Sequence, residues 1–334
     1  MPIQQEILKS FVSKNVLVTG GTGMIGRQVV DILAGTGANI KIVSLDKIKV
    51  NDKAEHIFGD LADFNFCKEI CKNTDFVFHI AGIGASVKAA HTKIASHFVP
   101  MLMMNTNILE ACRLNKVQKA VYTSSVGAYA PAEIFKESEY RLDSIPMDFA
   151  GWAKRMAEAQ INAYKVEYGL TDFAIVRPPN VYGPGDNFNP ENSLVVPSLI
   201  YRIYNKENPL VVWGDGSAIR DFVYSRDVAE GIILALYYGT HNAPGGFVNL
   251  GGGQPYTIKE LVEALHSFLD FNYTFDASKP TGVKQRIMDI SLAKEMIHYS
   301  PSTALKDGLK ETWDWFIKNP DEYRRKMNYF DLEK

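Results

Sequence analysis

Asn15-Val16-Leu17-Val18-Thr19-Gly20-Gly21-Thr22-Gly23-Met24-Ile25-Gly26 is the stretch on which the reading of this chain turns. Its first five residues form a short apolar run that stops at glycine, which fits a buried strand. From Gly23 to Ala34 the apolar residues recur at helical spacing, and Gly35 and Gly37 end the pattern. A strand, a tight glycine turn and a helix, in that order, open a strand–helix–strand unit.

The pattern repeats outward. Ile40–Leu45, Glu55–Phe58, Phe76–Ile80, Ala120–Tyr122 and Phe173–Val176 read as strands, and Phe98–Arg113 and Gly151–Tyr168 as helices. Parallel neighbours need crossover connections, so this alternation predicts a doubly wound parallel sheet (Rossmann) of the α/β class. After Arg177 the texture changes to turns, with Pro178-Pro179-Asn180 and Gly183-Pro184-Gly185 ahead of the polar run Asn187–Ser193. A smaller interleaved α/β substrate lobe is expected there. Asp221–Tyr224 and Gly246–Leu250 read as strands returning towards the sheet. The expected division is therefore 1–182 plus about 221–250 for the dinucleotide-binding domain, with 183–220 and 251–334 for the lobe.

Gly20, Gly23 and Gly26 suit a tight turn, close approach of backbone to a pyrophosphate, and helix–strand packing. The following helix offers unpaired N–H groups to phosphates. Asp46, twenty residues past Gly26, ends the second strand where a carboxylate can bind adenosine ribose hydroxyls and repel a 2′-phosphate. NAD is therefore expected over NADP, although Lys47 beside it could tolerate a phosphate. Asp60 after Gly59 either caps the adenine edge or N-caps the next helix.

The formal net charge of −2 gives no basis for a nucleic-acid partner. No apolar run reaches bilayer-spanning length and Met1–Phe11 lacks a signal-peptide layout, so a cytoplasmic protein with no membrane partner is expected. Of the three cysteines, Cys67 and Cys71 suit one helix face; none has partners at zinc-like spacing, and no metal site is expected. Met101, Met103 and Met104 read as packing.

Taken in order, Gly20–Gly26, Gly59-Asp60-Leu61, Ala81-Gly82, Thr123-Ser124-Ser125, Lys154, Arg177–Pro184, Trp213–Gly216 and Arg220-Asp221-Phe222 resemble the extended short-chain dehydrogenase/reductase family of NAD-dependent epimerases and dehydratases. The resemblance covers almost the whole chain. Asp186–Pro190 and Lys279–Gly282 resemble its GDP-sugar branch, that of GDP-fucose synthase and GDP-heptose dehydrogenases. It implies an NAD-dependent oxidoreductase acting at a nucleotide-sugar ring carbon, C4 foremost, and a homodimer. By position, Gly20, Thr22, Gly23, Met24, Ile25, Asp46, Lys47, Asp60, Leu61, Ala81, Gly82, Ser124, Lys154, Pro178 and Val181 match cofactor contacts. Ser125 matches the serine that hydrogen-bonds the reacting sugar oxygen, and Lys154 the lysine that holds the nicotinamide ribose. Lys88, Asn180, Asn192, Arg220 and Arg286 match contacts to the substrate. Arginine suits a diphosphate because its planar fork can donate two bonds at once.

Two departures stand out. The family tyrosine four residues before the lysine is Ala150 here, which removes the usual proton carrier. Tyr129, Lys88 and His91 are the replacement candidates. The cysteine and histidine of the fucose-synthase pattern are Gly127 and Leu194, so 3,5-epimerisation is not expected. A 4-epimerase and a non-catalytic dinucleotide sensor remain as alternative readings.

Overall fold

The computed structural model describes residues 3–84, 92–279 and 281–327. Strands β1 (Asn15–Thr19), β2 (Asn39–Ser44), β3 (Ala54–Phe58), β4 (Phe76–His79), β5 (Lys119–Thr123), β7 (Phe173–Arg177) and β11 (Phe247–Asn249) form one sheet, ordered β11-β7-β5-β4-β1-β2-β3. Every pair in it is parallel. Parallel sheets are covered on both faces, which is why β4 and β7 are buried at every position.

Alternation along β1 divides the core between the two faces. Val16 and Val18 join the cluster under α2 (Met24–Leu33) and α7 (Ser225–Tyr238). Leu17 joins the opposite cluster, under α3 (Phe64–Ile70), α4 (Ile94–Leu114) and α5 (Phe149–Tyr168). The three cysteines lie buried and free in that second cluster, with Cys71 and Cys112 Sγ 4.0 Å apart. The chain runs outward from β1 through β2 and β3, then returns to β4 on the other side. That reversal opens a crevice beyond the carboxyl ends of β1 and β4, where ligands of such sheets bind.

The lobe is built around a second sheet, ordered β12-β10-β14-β6, with β8 (Asn180–Tyr182) also pairing β10. Its members are β6 (Ile134–Phe135), β10 (Ile219–Tyr224), β12 (Pro255–Thr257) and β14 (Gln285–Met288). A further parallel pair joins β9 (Leu210–Trp213) to β13 (Tyr273–Asp276). A third core cluster fills this lobe, with α6 (Val195–Tyr204), α8 (Ile258–His266) and α10 (Leu305–Lys318) around Phe222 and Tyr224. Of the two strands expected to return, β11 does join the large sheet. Asp221–Tyr224 does not: the ladder groups of β10 are taken by β8, β12 and β14. Because β6 and β8 lie inside 1–182 yet pair with β14 and β10, any boundary drawn along the chain cuts through a sheet.

Candidate active site

Gly20 leaves β1 with φ +69°, and a Cβ there would lie 2.8 Å from the Ala81 backbone. A Cβ on Gly26 would lie 2.3 Å from the Gly20 carbonyl oxygen. Only glycine fits either place. Gly23 starts α2 in extended conformation with no side-chain cap, so the first-turn N–H groups are not taken up by a capping side chain. The Thr22 hydroxyl donates to Asp46 Oδ2 at 2.9 Å and lies 2.7 Å from Ser44 Oγ. These residues fit a dinucleotide: a side-chain-free cradle at a helix N-terminus, with a carboxylate at the end of the second strand.

A cavity of about 370 Å³ gathers ten of the fifteen expected cofactor contacts, with Lys47, Ser124, Lys154, Pro178 and Val181 outside its lining. Gly20, Thr22, Gly23, Met24 and Ile25 line it together with Asp46, Asp60, Leu61, Ala81 and Gly82. Met104, read as packing, is buried and also reaches this cavity. Asn192, matched to the substrate by resemblance, lines this cavity too, beside Gly185, Asp186 and Asn187. The N-cap of α3 is Asp63, which accepts from Asn65 N and Phe66 N, and not Asp60. Asp60 Oδ1 instead accepts the Ala62 N–H at 2.8 Å. Lys47 is exposed next to Asp46. Val181 sits on β8 against the first core cluster, and the Pro178 carbonyl accepts the Val126 N–H at 3.0 Å.

Under the cradle lies a buried polar chain that the sequence reading missed. Thr19 Oγ1 lies 2.8 Å from His79 Nδ1, His79 Nε2 lies 2.9 Å from Asn105 Oδ1, and Asn105 Nδ2 donates to the Tyr122 hydroxyl at 3.0 Å. Burial, then the nearby Lys154 ammonium, holds His79 neutral by pushing it down to about 3. An Asn105 amide reads the neutral ring correctly, because its oxygen accepts the Nε2 proton while Nδ1 accepts from threonine. The available signal was a histidine closing an apolar strand and an asparagine inside an apolar helix.

Beside Gly82 of this cavity, Lys154 is buried on α5 and donates to the Thr123 carbonyl at 2.8 Å. Its ammonium lies 5.2 Å over the Tyr122 ring, and a Cβ on Gly82 would lie 3.5 Å from Nζ. Burial lowers this ammonium to about 8, against the opposing pull of Glu158. Ser125 caps the short turn Val126–Ala128, its Oγ accepting the Gly127 N–H at 3.2 Å. Helix α5 is pressed onto this turn: a Cβ on Gly151 would lie 2.0 Å from the Gly127 oxygen. Ala150, half-buried in the first turn of α5, carries no proton to exchange.

Beneath Ser125 sits a buried ion pair. Arg177 Nε and Nη2 donate to Glu158 at 2.8 and 2.5 Å, and the Ser124 hydroxyl donates to Glu158 Oε1 at 2.5 Å. Ser124 thus turns its side chain into the core and not towards a cofactor. The same arrangement removes Tyr129 as a proton carrier. Its hydroxyl donates to Asn249 at 2.9 Å, its ring lies 4.2 Å from the Arg177 guanidinium, and burial raises its pKa. Lys88 and His91 lie outside the described residues.

Arg220 and Arg286 are partners in register on the parallel strands β10 and β14, and so lie side by side. Arg220 donates to the Ile219 and Thr281 carbonyls at 2.8 and 3.4 Å, and neither arginine has a carboxylate partner among the described residues. Burial, then repulsion from Arg286, lowers the Arg220 pKa. Asn180 donates to the Asp221 carbonyl at 3.1 Å, tying β8 to β10 beside this pair.

The glycine cradle at a helix N-terminus and the carboxylate beside it define a dinucleotide-binding α/β fold, with the buried Lys154 next to Gly82. The model of the NAD dependent epimerase/dehydratase family matches residues 16–251, and the chain belongs to that enzyme family. A probable GDP-L-fucose synthase 1 of Oryza sativa subsp. japonica is 31% identical over 91% of this chain and 92% of its own length. The GDP-L-fucose synthase of Escherichia coli (strain K12) is 28% identical, covering 93% of this chain and 99% of its own. The crystal structure of a UDP-glucose 4-epimerase with UDP-glucose, from Thermotoga maritima, superposes with TM-score 0.79 at 28% identity over 92% of this chain and 99% of that one. Among the described residues no helix is long and apolar enough to cross a membrane.

Proposed function

We propose that this enzyme oxidises or reduces a ring carbon, C4 foremost, of a nucleotide sugar, with a GDP-sugar such as GDP-manno-heptose favoured. The observation that carries this reading is the glycine cradle lining the cavity, with the Lys154 ammonium against Gly82 at its edge; the Arg220–Arg286 pair is proposed to face the same crevice. Asp46 favours NAD over NADP, since a carboxylate accepts ribose hydroxyls and repels a 2′-phosphate. The cofactor, when bound, supplies the hydride acceptor or donor. Ser125 orients the sugar oxygen by hydrogen bonding. Lys154, brought by burial to about 8, can exchange a proton near neutral pH, and it takes the proton role that Ala150 lacks. Arg220 and Arg286 hold the diphosphate, and Asn192 belongs to the cofactor side. Residues 183–220 and 251–334 serve as the substrate lobe, the protein acts in the cytoplasm, and it assembles as a homodimer.

Support for a GDP-sugar comes from the fucose-synthase relatives; support for a 4-epimerase, the second reading, comes from the UDP-glucose 4-epimerase likeness. Ala150 is the specific support for a third, a non-catalytic sensor. One assay separates them. Mixed with GDP-sugars or UDP-sugars, an oxidoreductase changes nicotinamide absorbance in proportion to product. An epimerase forms product with no net change. Binding of both ligands with neither product nor absorbance change favours the sensor and overturns the proposal.

A further inference from the structure

The last described residues of the chain, outside the 16–251 matched by the family, fold back onto the cofactor cradle. Helix α11 (Glu322–Arg325) docks Glu322 against Arg27 of α2 at 2.5 Å, both side chains only 8% exposed. The same Arg27 nitrogen donates to the Thr22 carbonyl of the glycine loop at 2.8 Å, and the guanidinium lies 5.1 Å over the Trp315 ring. Two residues further on, the Met327 N–H donates to Asp46 Oδ1 at 2.7 Å. Lys326 Nζ donates to the Gly185 carbonyl, and a Cβ on Gly185 would overlap Arg27, so these three segments lock together. Tyr323, Lys326 and Met327 all line the cavity described above.

Polar capacity is left open there. Among the described residues, Lys326 has one hydrogen-bond acceptor, the Gly185 carbonyl, for its three protons. Asp186 Oδ2 and Arg27 Nε, which flank it, are buried with no hydrogen-bond partner among the described residues. Burial and the repulsion of Arg27 lower the Lys326 ammonium to about 8, against the pull of Glu322, Asp46 and Asp186. A phosphate oxygen arriving in the cavity would offset the first two effects and take up the free protons.

Resting on the dinucleotide reading, we infer that Glu322–Met327 completes the cofactor site, with Lys326 its cation for the phosphates of the dinucleotide. Docking of this segment and occupancy of the cradle are then thermodynamically coupled, each stabilising the other.

Amide hydrogen exchange on the full chain, with and without saturating NAD, tests this directly. The expected result is slowed exchange in both 20–26 and 322–327. In calorimetry, Lys326→Met should weaken dinucleotide binding roughly tenfold or more, the size of a lost charge-assisted bond. An equal loss for NAD and NADP assigns Lys326 to the pyrophosphate; a loss confined to NADP assigns it to a 2′-phosphate; both support the inference. Slowed exchange at 20–26 with unchanged exchange at 322–327 overturns it and spares the dinucleotide reading. No protection at 20–26 and no binding overturns the dinucleotide reading itself. The exchange measurement uses the unaltered chain, so it decides even if Lys326→Met fails to fold.

Discussion

Replacing Arg177 with Met tests whether the floor of the active site is built on charge. The guanidinium is fully buried, makes two bonds to Glu158 and lies 3.7 Å from the Phe247 ring centre and 4.2 Å from that of Tyr129. Methionine keeps much of the apolar stem against those rings and removes only the charge and its donors. Glu158 is then left 1% exposed with Ser124 as its remaining side-chain partner. Breaking a buried pair from one side typically costs about 3–5 kcal/mol, because the orphaned charge stays desolvated. Urea denaturation should show a loss of that order. The double variant Arg177→Met/Glu158→Leu should recover most of it, since removing both charges together is often close to neutral. If Arg177→Met costs under about 1 kcal/mol, or the double variant is no better than the single, the pair is not what holds this layer.

Four further outcomes follow from the same geometry. Ala150→Tyr places a phenol one helical turn before Lys154 and should raise turnover of the oxidoreductase; an unchanged rate in steady-state assays would refute the idea that the missing phenol limits turnover and would show that another group carries the proton. Arg220→Gln and Arg286→Gln should each raise KM for the nucleotide sugar about ten- to a hundredfold at nearly constant kcat, the signature of a lost ground-state diphosphate contact. Turnover in the oxidative direction should rise with pH around a midpoint near 8, as Lys154 loses its proton. The folded value near 8 lies below the ordinary 10.5, so the unfolded chain holds that proton more tightly. The lysine term therefore makes unfolding free energy increase with pH between about 8 and 10.5, with its full penalty present below 8. The slope should vanish in a comparison with Lys154→Met.

Much of the cradle was legible because its logic is local. Gly20, Gly23 and Gly26 are spaced by steric need within one turn, and the strand before them and helix after them declare themselves by periodicity. Asp46 could be placed for the same reason, at the end of a strand whose length is set by its neighbours. What could not be read lies in pairings between distant segments. Asp221–Tyr224 is apolar enough for either sheet, and its ladder partners decide the matter. Asp60 and Asp63 are equally good caps by composition; only the backbone turn shows that Asp63 reaches the first N–H groups. Tyr129 looked available for chemistry because nothing in its neighbourhood announces that Asn249, 120 residues away, takes its hydroxyl. The contact of Met327 with Asp46 spans 281 residues and has no motif at all.

Hydride passing between a dinucleotide and a sugar ring in one crevice is the proposed reaction on which everything else depends. The most direct test is a single turnover of the ketosugar with reduced dinucleotide deuterated at the transferring carbon, followed by NMR of the sugar. One deuterium on a single ring carbon, C4, of the product is expected. Product without deuterium, or labelled at another position, would contradict it.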